Sequence, residues 1–404
     1  MSAHEITGND LPIADAPKAQ ATRLVCLIGL TLALGYLIVL GGTYLKGDFL
    51  TDAQGRPIAN DFVNVFAAGQ LADEGNATSA YDVSLQKAAE VRAIGHEFEG
   101  YYGWPYPPTF LFVAAALAVL PYLFAAIVWL AATLAAYAAA LGGILGGRAG
   151  VLLALGFPGV LWNATAGQNG YLTAALIGGT LGLLERHPAL AGVCLGLLTY
   201  KPHFGLLFPL VLIADRRWLT LAIAAAVAIG IGAASWLAFG SASWQAFVHW
   251  MPITSQIVLD EGGGDFSRLQ SLFGLVRSHG GSAQLAWTVQ AIGSLTIAVA
   301  ITWLWRSRRP YDLKAAGLAC GVLLATPYLY MYDVVVLAVA VAFLIRYSLE
   351  RGFLASEMVG FFAASALILI FPYVKTQVGL AAVLIVLALI AQRACCVATK
   401  SASH

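Results

Sequence analysis

The sequence predicts an all-α polytopic membrane protein, and three observations carry that expectation. Apolar residues fill 60% of the 404 positions and charged residues 11%, which gives a mean hydropathy of +0.79 and leaves too little polar surface for a water-soluble globule of this length. The apolar residues fall in runs, and hydrocarbon offers backbone groups no partner outside their own segment, so the runs read as helices. Lys and Arg gather at the ends of those runs, as they do on the cytoplasmic side of membrane spans. A net charge of +1 without a Lys/Arg run speaks against nucleic acid as a partner.

In chain order, apolar runs lie near 23–42, 108–120, 122–143, 149–162, 168–184, 188–199, 203–214, 218–239, 284–305, 313–327, 333–348, 353–372 and 377–393. Several are shorter than the roughly 20 residues of a full crossing and are expected to end in protein-lined cavities. Residues 1–22 read as a cytoplasmic polar tail, because they lack the basic stretch, apolar core and cleavage site of a signal peptide. Residues 23–393 read as one transmembrane domain without an internal repeat, and 394–404 as a second cytoplasmic tail. Arg186, Arg216, Arg217, Arg306, Arg308, Arg309, Arg346, Arg351 and Arg393 flag the cytoplasmic ends. Residues 43–107, 240–283, 326–333 and 371–377 then face outward, and the first of these loops carries nine Asp/Glu against four Lys/Arg. Between Pro108 and Arg148 two runs would return the chain to the outer side, although Arg148 belongs inside. One of them is therefore expected to be re-entrant or interfacial, which puts 167–169 and 200–203 at outer-side apices. The five cysteines show no metal-site or disulfide spacing and read as small apolar fillers.

The chemistry-bearing residues are concentrated at those outer positions. In "NDFVNVFAAGQLADEGNATSAYD" (60–82), Asp61 precedes an amphipathic stretch, Phe62, Val65, Phe66, Ala68 and Gly69, that suits a helix lying on or entering the membrane surface. Asn60 or Asp61 would be its N-cap; alternatively, partial burial makes Asp61 a general base. Asp48, Asp52, Asp73 and Glu74 read as solvated loop charges. In "YYGWPYPPTFLF" (101–112), Tyr106 and its aromatic neighbours are either an interfacial belt or a platform for sugar rings. Gln168 and Asn169 are either hairpin-turn residues or hydrogen-bonding groups for a substrate. Lys201, with His203 in "LLTYKPHFGLLF", lies between apolar runs where a charge is costly unless it meets water or an anion; a phosphate ligand or a snorkelling side chain both answer that cost. Arg268 in "DEGGGDFSRLQSLFGLVR" has the bidentate geometry for phosphate, or is simply solvated. Tyr328, Tyr330, Tyr332 and Asp333 are belt residues or a second polar edge of a cavity.

As an ordered set, "NDFVNVFAAG", "AYD" at 80–82, "YPP" at 106–108, "GQN" at 167–169, "YKPH" at 200–203 and "FSRLQSLFGLVR" at 266–277 resemble glycosyltransferase family 87, membrane mannosyltransferases of the GT-C superfamily. The resemblance spans roughly residues 60–335. It implies a GT-C type helical bundle whose large extracytoplasmic first loop carries short interfacial helices. It also implies inverting transfer of one sugar, a hexose such as mannose, from a polyprenyl-phosphate donor to a lipid or glycan acceptor, with no cofactor or metal. By motif Asp61 becomes the base, Lys201, Arg268 and His203 the phosphate ligands, and Gln168, Asn169, Tyr106, Tyr328, Tyr330 and Asp333 the substrate contacts. The implied setting is a bacterial inner (plasma) membrane, with the site facing the periplasm or cell exterior and membrane lipids as partners. Relatives with a histidine in a Ser-Pro motif on a late helix differ from this chain, which reads "TPYLYMYD" there. The competing reading is a transporter or flippase of a lipid-linked sugar, which would need polar groups through the whole membrane.

Overall fold

The computed structural model describes residues 16–45, 61–261 and 265–402; Asp48, Asp52 and Asn60 lie outside the described residues. The protein is an all-α polytopic membrane protein. Helix α1 (Ala16–Leu45) is followed by three short helices of the first loop region, α2 (Phe62–Asp73), α3 (Val83–Ile94) and α4 (Leu111–Ala118). Then come α5 (Tyr122–Leu145), α6 (Gly147–Gly156), α7 (Gly159–Ala166), α8 (Gly170–Leu183), α9 (Pro188–Leu197), α10 (Leu207–Ala214) and the long α11 (Trp218–Ser255). The chain closes with α12 (Leu272–Ser278), α13 (Ala283–Arg306), α14 (Tyr311–Leu324), α15 (Leu337–Arg351), α16 (Ala355–Leu369) and α17 (Val378–Ala402). Among the described residues six helices are long and apolar enough to cross a membrane, and α6 with α7, bent by 60° around Phe157 and Pro158, would make a seventh. Proline at that junction removes a helix donor and accounts for the bend.

The unresolved count between Pro108 and Arg148 has a simple answer in the fold. Helix α4 is only eight residues long and stops before Pro121, whereas α5 runs for 24. At about 1.5 Å per residue the first advances about 12 Å and the second about 36 Å, so α5 is long enough to cross a membrane and α4 is not. Helix α4 instead packs on α2. Gly69 makes that contact possible, since a Cβ there would lie 2.1 Å from the Ala114 carbonyl oxygen. Helix α2 is consequently enclosed by protein: Phe62, Val63, Val65, Phe66, Ala67, Ala68 and Leu71 are all buried. The sequence read this stretch as an amphipathic helix lying on or entering the membrane surface; in the fold its apolar residues and polar Asn64 alike are covered by protein.

Helices α14 and α15 form the centre of the bundle and are buried on nearly every side. Small residues on α14 admit close neighbours, for Gly317 and Gly321 lie against Leu304 and Ile301 of α13, the packing that apolar solvents favour because shape fit replaces the hydrophobic drive. By contrast α1, α11 and α13 expose rows of Leu, Ile, Val and Trp, as helix faces turned to lipid do.

Basic residues mark one end of this bundle. Arg346 of α15 pairs with Asp312 at the start of α14 and donates to the Ile144 carbonyl at the end of α5. Arg393 of α17 holds Glu357 of α16 at 2.6 Å and also reaches Ser348. Lys314 donates to the Trp305 carbonyl, joining α14 to α13. The junctions α7–α8, α9–α10 and α14–α15 lie at the opposite ends of these helices, beside the start of α2.

Candidate functional site

The site is assembled from helix ends. Gly167 adopts φ +69°, a left-handed turn that closes α7 and that glycine accepts without steric cost. Its predecessor Ala166 offers a carbonyl to the Asp61 amide at 3.1 Å, anchoring the start of α2 to that turn. Gly170 then brings α8 against the α14–α15 junction: a Cβ there would meet the Tyr332 carbonyl oxygen at 2.3 Å.

Two aspartates begin helices in the first loop region, and they behave differently. Asp82 caps α3, accepting from the Ser84 and Leu85 amides at 2.9 Å. Asp61 occupies the same position on α2 yet makes no side-chain cap. Its Oδ2 instead accepts from the Gln168 side-chain amide at 3.0 Å. Gln168 is held in turn, its Oε1 accepting from the Tyr106 hydroxyl at 3.2 Å and from the Asn169 amide at 3.0 Å. The helix-cap reading of Asp61 is therefore set aside. Burial pushes the Asp61 carboxyl above the usual aspartate range, opposed by the Gln168 hydrogen bond and the nearby Lys201 and Arg268 charges. Withdrawal from water penalises the ionised form, which makes the carboxylate a better proton acceptor.

Lys201 sits at the break between α9 and α10, where Pro202 interrupts the helix and 3-10 turns flank it. It is buried, which excludes snorkelling to the surface, and its ammonium donates to Asp333 at 2.8 Å. The Tyr332 ring lies 5.3 Å from the same ammonium. A lysine carries three N–H donors, so the contact with Asp333 leaves two for another ligand. His203 packs its ring on Phe204 at 4.6 Å and on Tyr328 at 5.9 Å.

Arg268 ends a 3-10 turn whose cap is Asp265. The turn is fastened to the α14–α15 junction by Gln270, whose amide donates to the Leu329 carbonyl at 2.6 Å, and by Ser271, whose hydroxyl reaches the Pro327 carbonyl at 2.8 Å. Tyr330 pairs with Leu269 in an isolated bridge. The Arg268 side chain is exposed, and among the described residues it forms no ion pair.

Every sequence-derived site residue thus lies around one group of helix ends, and Asp61 feels the charges of Lys201, Arg268 and Asp333 together. Trp104 and Tyr106 are buried within protein, with Tyr106 against Phe110 at 4.9 Å, so an interfacial belt does not describe them. Tyr332, which the sequence offered as a belt residue or part of a polar cavity edge, stacks on Tyr330 at 5.3 Å and faces Lys201, whereas sequence reasoning gave it no site role. Sequence reasoning also passed over Tyr200, whose hydroxyl donates to the Asn169 carbonyl at 3.2 Å. Among the described residues no three His, Cys, Asp or Glu side chains form a metal-ligand set.

No curated protein and no solved structure matches the chain. A family model, glycosyltransferase family 87, matches residues 104–327, more than half of its length. The matched segment contains Tyr106, Gln168, Asn169, Lys201, His203 and Arg268, while Asp61 and Asp333 lie outside it. With its membrane-crossing helices and that match, the chain belongs to glycosyltransferase family 87 and is an integral membrane glycosyltransferase.

Proposed function

We propose that this enzyme transfers one hexose, with inversion, from a polyprenyl-phosphate sugar to a hydroxyl of a lipid or glycan acceptor, with Asp61 as the general base. The observation that carries the reading is the Asp61 carboxylate. It stands at a helix start without capping it, is oriented by Gln168, and has its pKa raised by burial. A group held at that cost to stability is a functional candidate.

In the reaction, the acceptor oxygen attacks the anomeric carbon from the face opposite the phosphate. The carbon–oxygen bond to phosphate breaks with its electron pair passing to the phosphate, and the hydroxyl proton passes to Asp61. Lys201 and Arg268 offset the charge that grows on the leaving phosphate, with His203 beside them. Tyr106, Gln168, Asn169, Tyr328, Tyr330 and Asp333 surround the sugar or hold the groups that do. A lipid-borne donor suits a site at helix ends, because its chain stays in the bilayer while its phosphate reaches the polar groups. Basic residues collected at the other end of the bundle favour an extracytoplasmic site, and a bacterial plasma membrane is the setting we assign.

The test is transfer from a panel of radiolabelled polyprenyl-phosphate hexoses by enzyme in lipid nanodiscs. Asp61→Asn should fold and lose transfer by about 10²–10⁴-fold, the usual worth of a general base. Undiminished transfer by that variant, or a requirement for a nucleotide sugar, overturns the reading.

A further inference from the structure

A second polar cluster lies behind α2, and the mechanism above does not use it. Asn64 follows Asp61 by three residues, which places both on one side of the helix. Its amide donates to the Gly103 carbonyl at 3.0 Å, and its backbone carbonyl accepts from Gln86 at 3.0 Å. Gln86 and Glu90 lie one turn apart on α3 and are completely buried. Tyr101 lies beside Gly103, where a Cβ would approach its hydroxyl to 3.5 Å. Asn64 Oδ1, Gln86 Oε1, Glu90 Oε1 and the Tyr101 hydroxyl are all buried without a hydrogen-bond partner. Four unmet groups in one place are costly.

The chemistry of the set limits what satisfies it. Glu90 receives a long contact, 3.4 Å, from the Tyr102 amide, and Gln86 and Lys87 lie close enough to favour its ionised form against burial. The neighbouring Lys87 spends its ammonium on the Phe98 and Gly100 carbonyls at 2.9 and 2.6 Å. Burial pushes the Glu90 carboxyl up to about 8, so at neutral pH it offers an O–H as well as a C=O. Among the described residues the set is rich in acceptors and holds no free cation, which suits sugar hydroxyls better than phosphate. The wall over it, residues 95–103, is pinned by Lys87 and turns at Gly95 (φ +87°) and Gly100 (φ +98°), conformations that glycine provides.

We propose that the polar cluster of Asn64, Gln86, Glu90 and Tyr101 is the acceptor subsite, where hydroxyls of a neutral sugar ring bind with Glu90 as one hydrogen-bonding partner. The assignment rests on the transferase reading of Asp61, because only that reading requires an acceptor beside α2. Lys201 and Arg268 then serve the phosphate and the cluster serves the acceptor, both within electrostatic reach of Asp61.

The probes are n-butyl glucoside, mannoside and galactoside, added to enzyme in nanodiscs. At saturation at least one should raise the wild-type Tm by about 2–4 °C and accept labelled sugar. Glu90→Leu, which removes the polar group but keeps its bulk, should abolish that shift and raise the acceptor KM tenfold or more, with the donor KM unmoved. Glu90→Gln should restore most of both, a rescue that a packing role would not give. Gln86→Leu provides an independent variant should Glu90→Leu fail to fold, and it should raise the acceptor KM likewise. The proposal falls if no glycoside stabilises the wild type, or if the folded Leu variants keep the acceptor KM within twofold. A Glu90-dependent shift without transfer from any lipid donor retains the sugar-binding cluster and sinks the transferase role of Asp61; transfer indifferent to Glu90 does the reverse.

Discussion

The two ends of the bundle treat their charges differently. At the basic end, charges are matched where they are buried: Arg393 with Glu357 and Ser348, Arg346 with Asp312 and the Ile144 carbonyl. At the other end, among the described residues, the buried ion pair is Lys201 with Asp333. Among the described residues, Asp61 has an amide for company, one Glu90 oxygen accepts no close hydrogen bond, and exposed Arg268 forms no ion pair. Saturated networks tie helices together, whereas incomplete ones keep bonding capacity for something else. One end is thus built for cohesion and the other for a ligand.

That contrast is broken most directly at Asp61. Asp61→Asn should remove about 10²–10⁴-fold of transfer and at the same time raise thermal stability at neutral pH. The sign follows from the raised pKa: the folded protein binds this proton more tightly than the unfolded chain, so stability falls as pH rises through that interval, and a neutral side chain removes the loss. A variant that loses both activity and stability would make Asp61 a structural residue and erase the distinction between the ends.

The converse experiment is at the basic end. Arg393→Ala strands the buried Glu357 carboxylate and should cost about 3–5 kcal/mol of stability, read as a lower unfolding midpoint, with the KM of the surviving folded enzyme unchanged. A KM shift there would couple the ends. Smaller effects sharpen the picture. Arg268→Ala, which touches an exposed cation, should raise the donor KM about tenfold, or about 1.4 kcal/mol, and should do so less at high salt. The acid limb of the rate profile should lie above the ordinary aspartate range of about 4, since Asp61 must be ionised to take a proton and its pKa is raised. An acid limb at or below that value would remove Asp61 as the base.

Much of the fold was legible. Runs of apolar residues identified the spans because hydrocarbon allows few alternatives, and prolines at 108, 121 and 202 marked breaks because they lack the donor a helix needs. The break at Lys201 and the turn at Gln168 were found in this way. Lengths alone left α4 unresolved, since a short apolar run packed on a neighbour reads like a short span. Burial was less legible still. Asp61 and Asp82 carry the same residue type at the same helix position and have opposite uses. Glu90 was not singled out, although Gln86, Ala89, Glu90 and Ala93 carry the i, i+3, i+4 spacing of a buried helix face.

By itself, then, the sequence determined the solvent this protein folds in, the helices it makes and the motifs that relate it to a family, because each depends on local composition and spacing. Tertiary structure alone decided that Asp61 turns to Gln168 instead of its own helix, that Lys201 meets Asp333 across the bundle, and that polar groups behind α2 are shut away from water. Those outcomes depend on desolvation and on partners far apart in the chain, which no local pattern records.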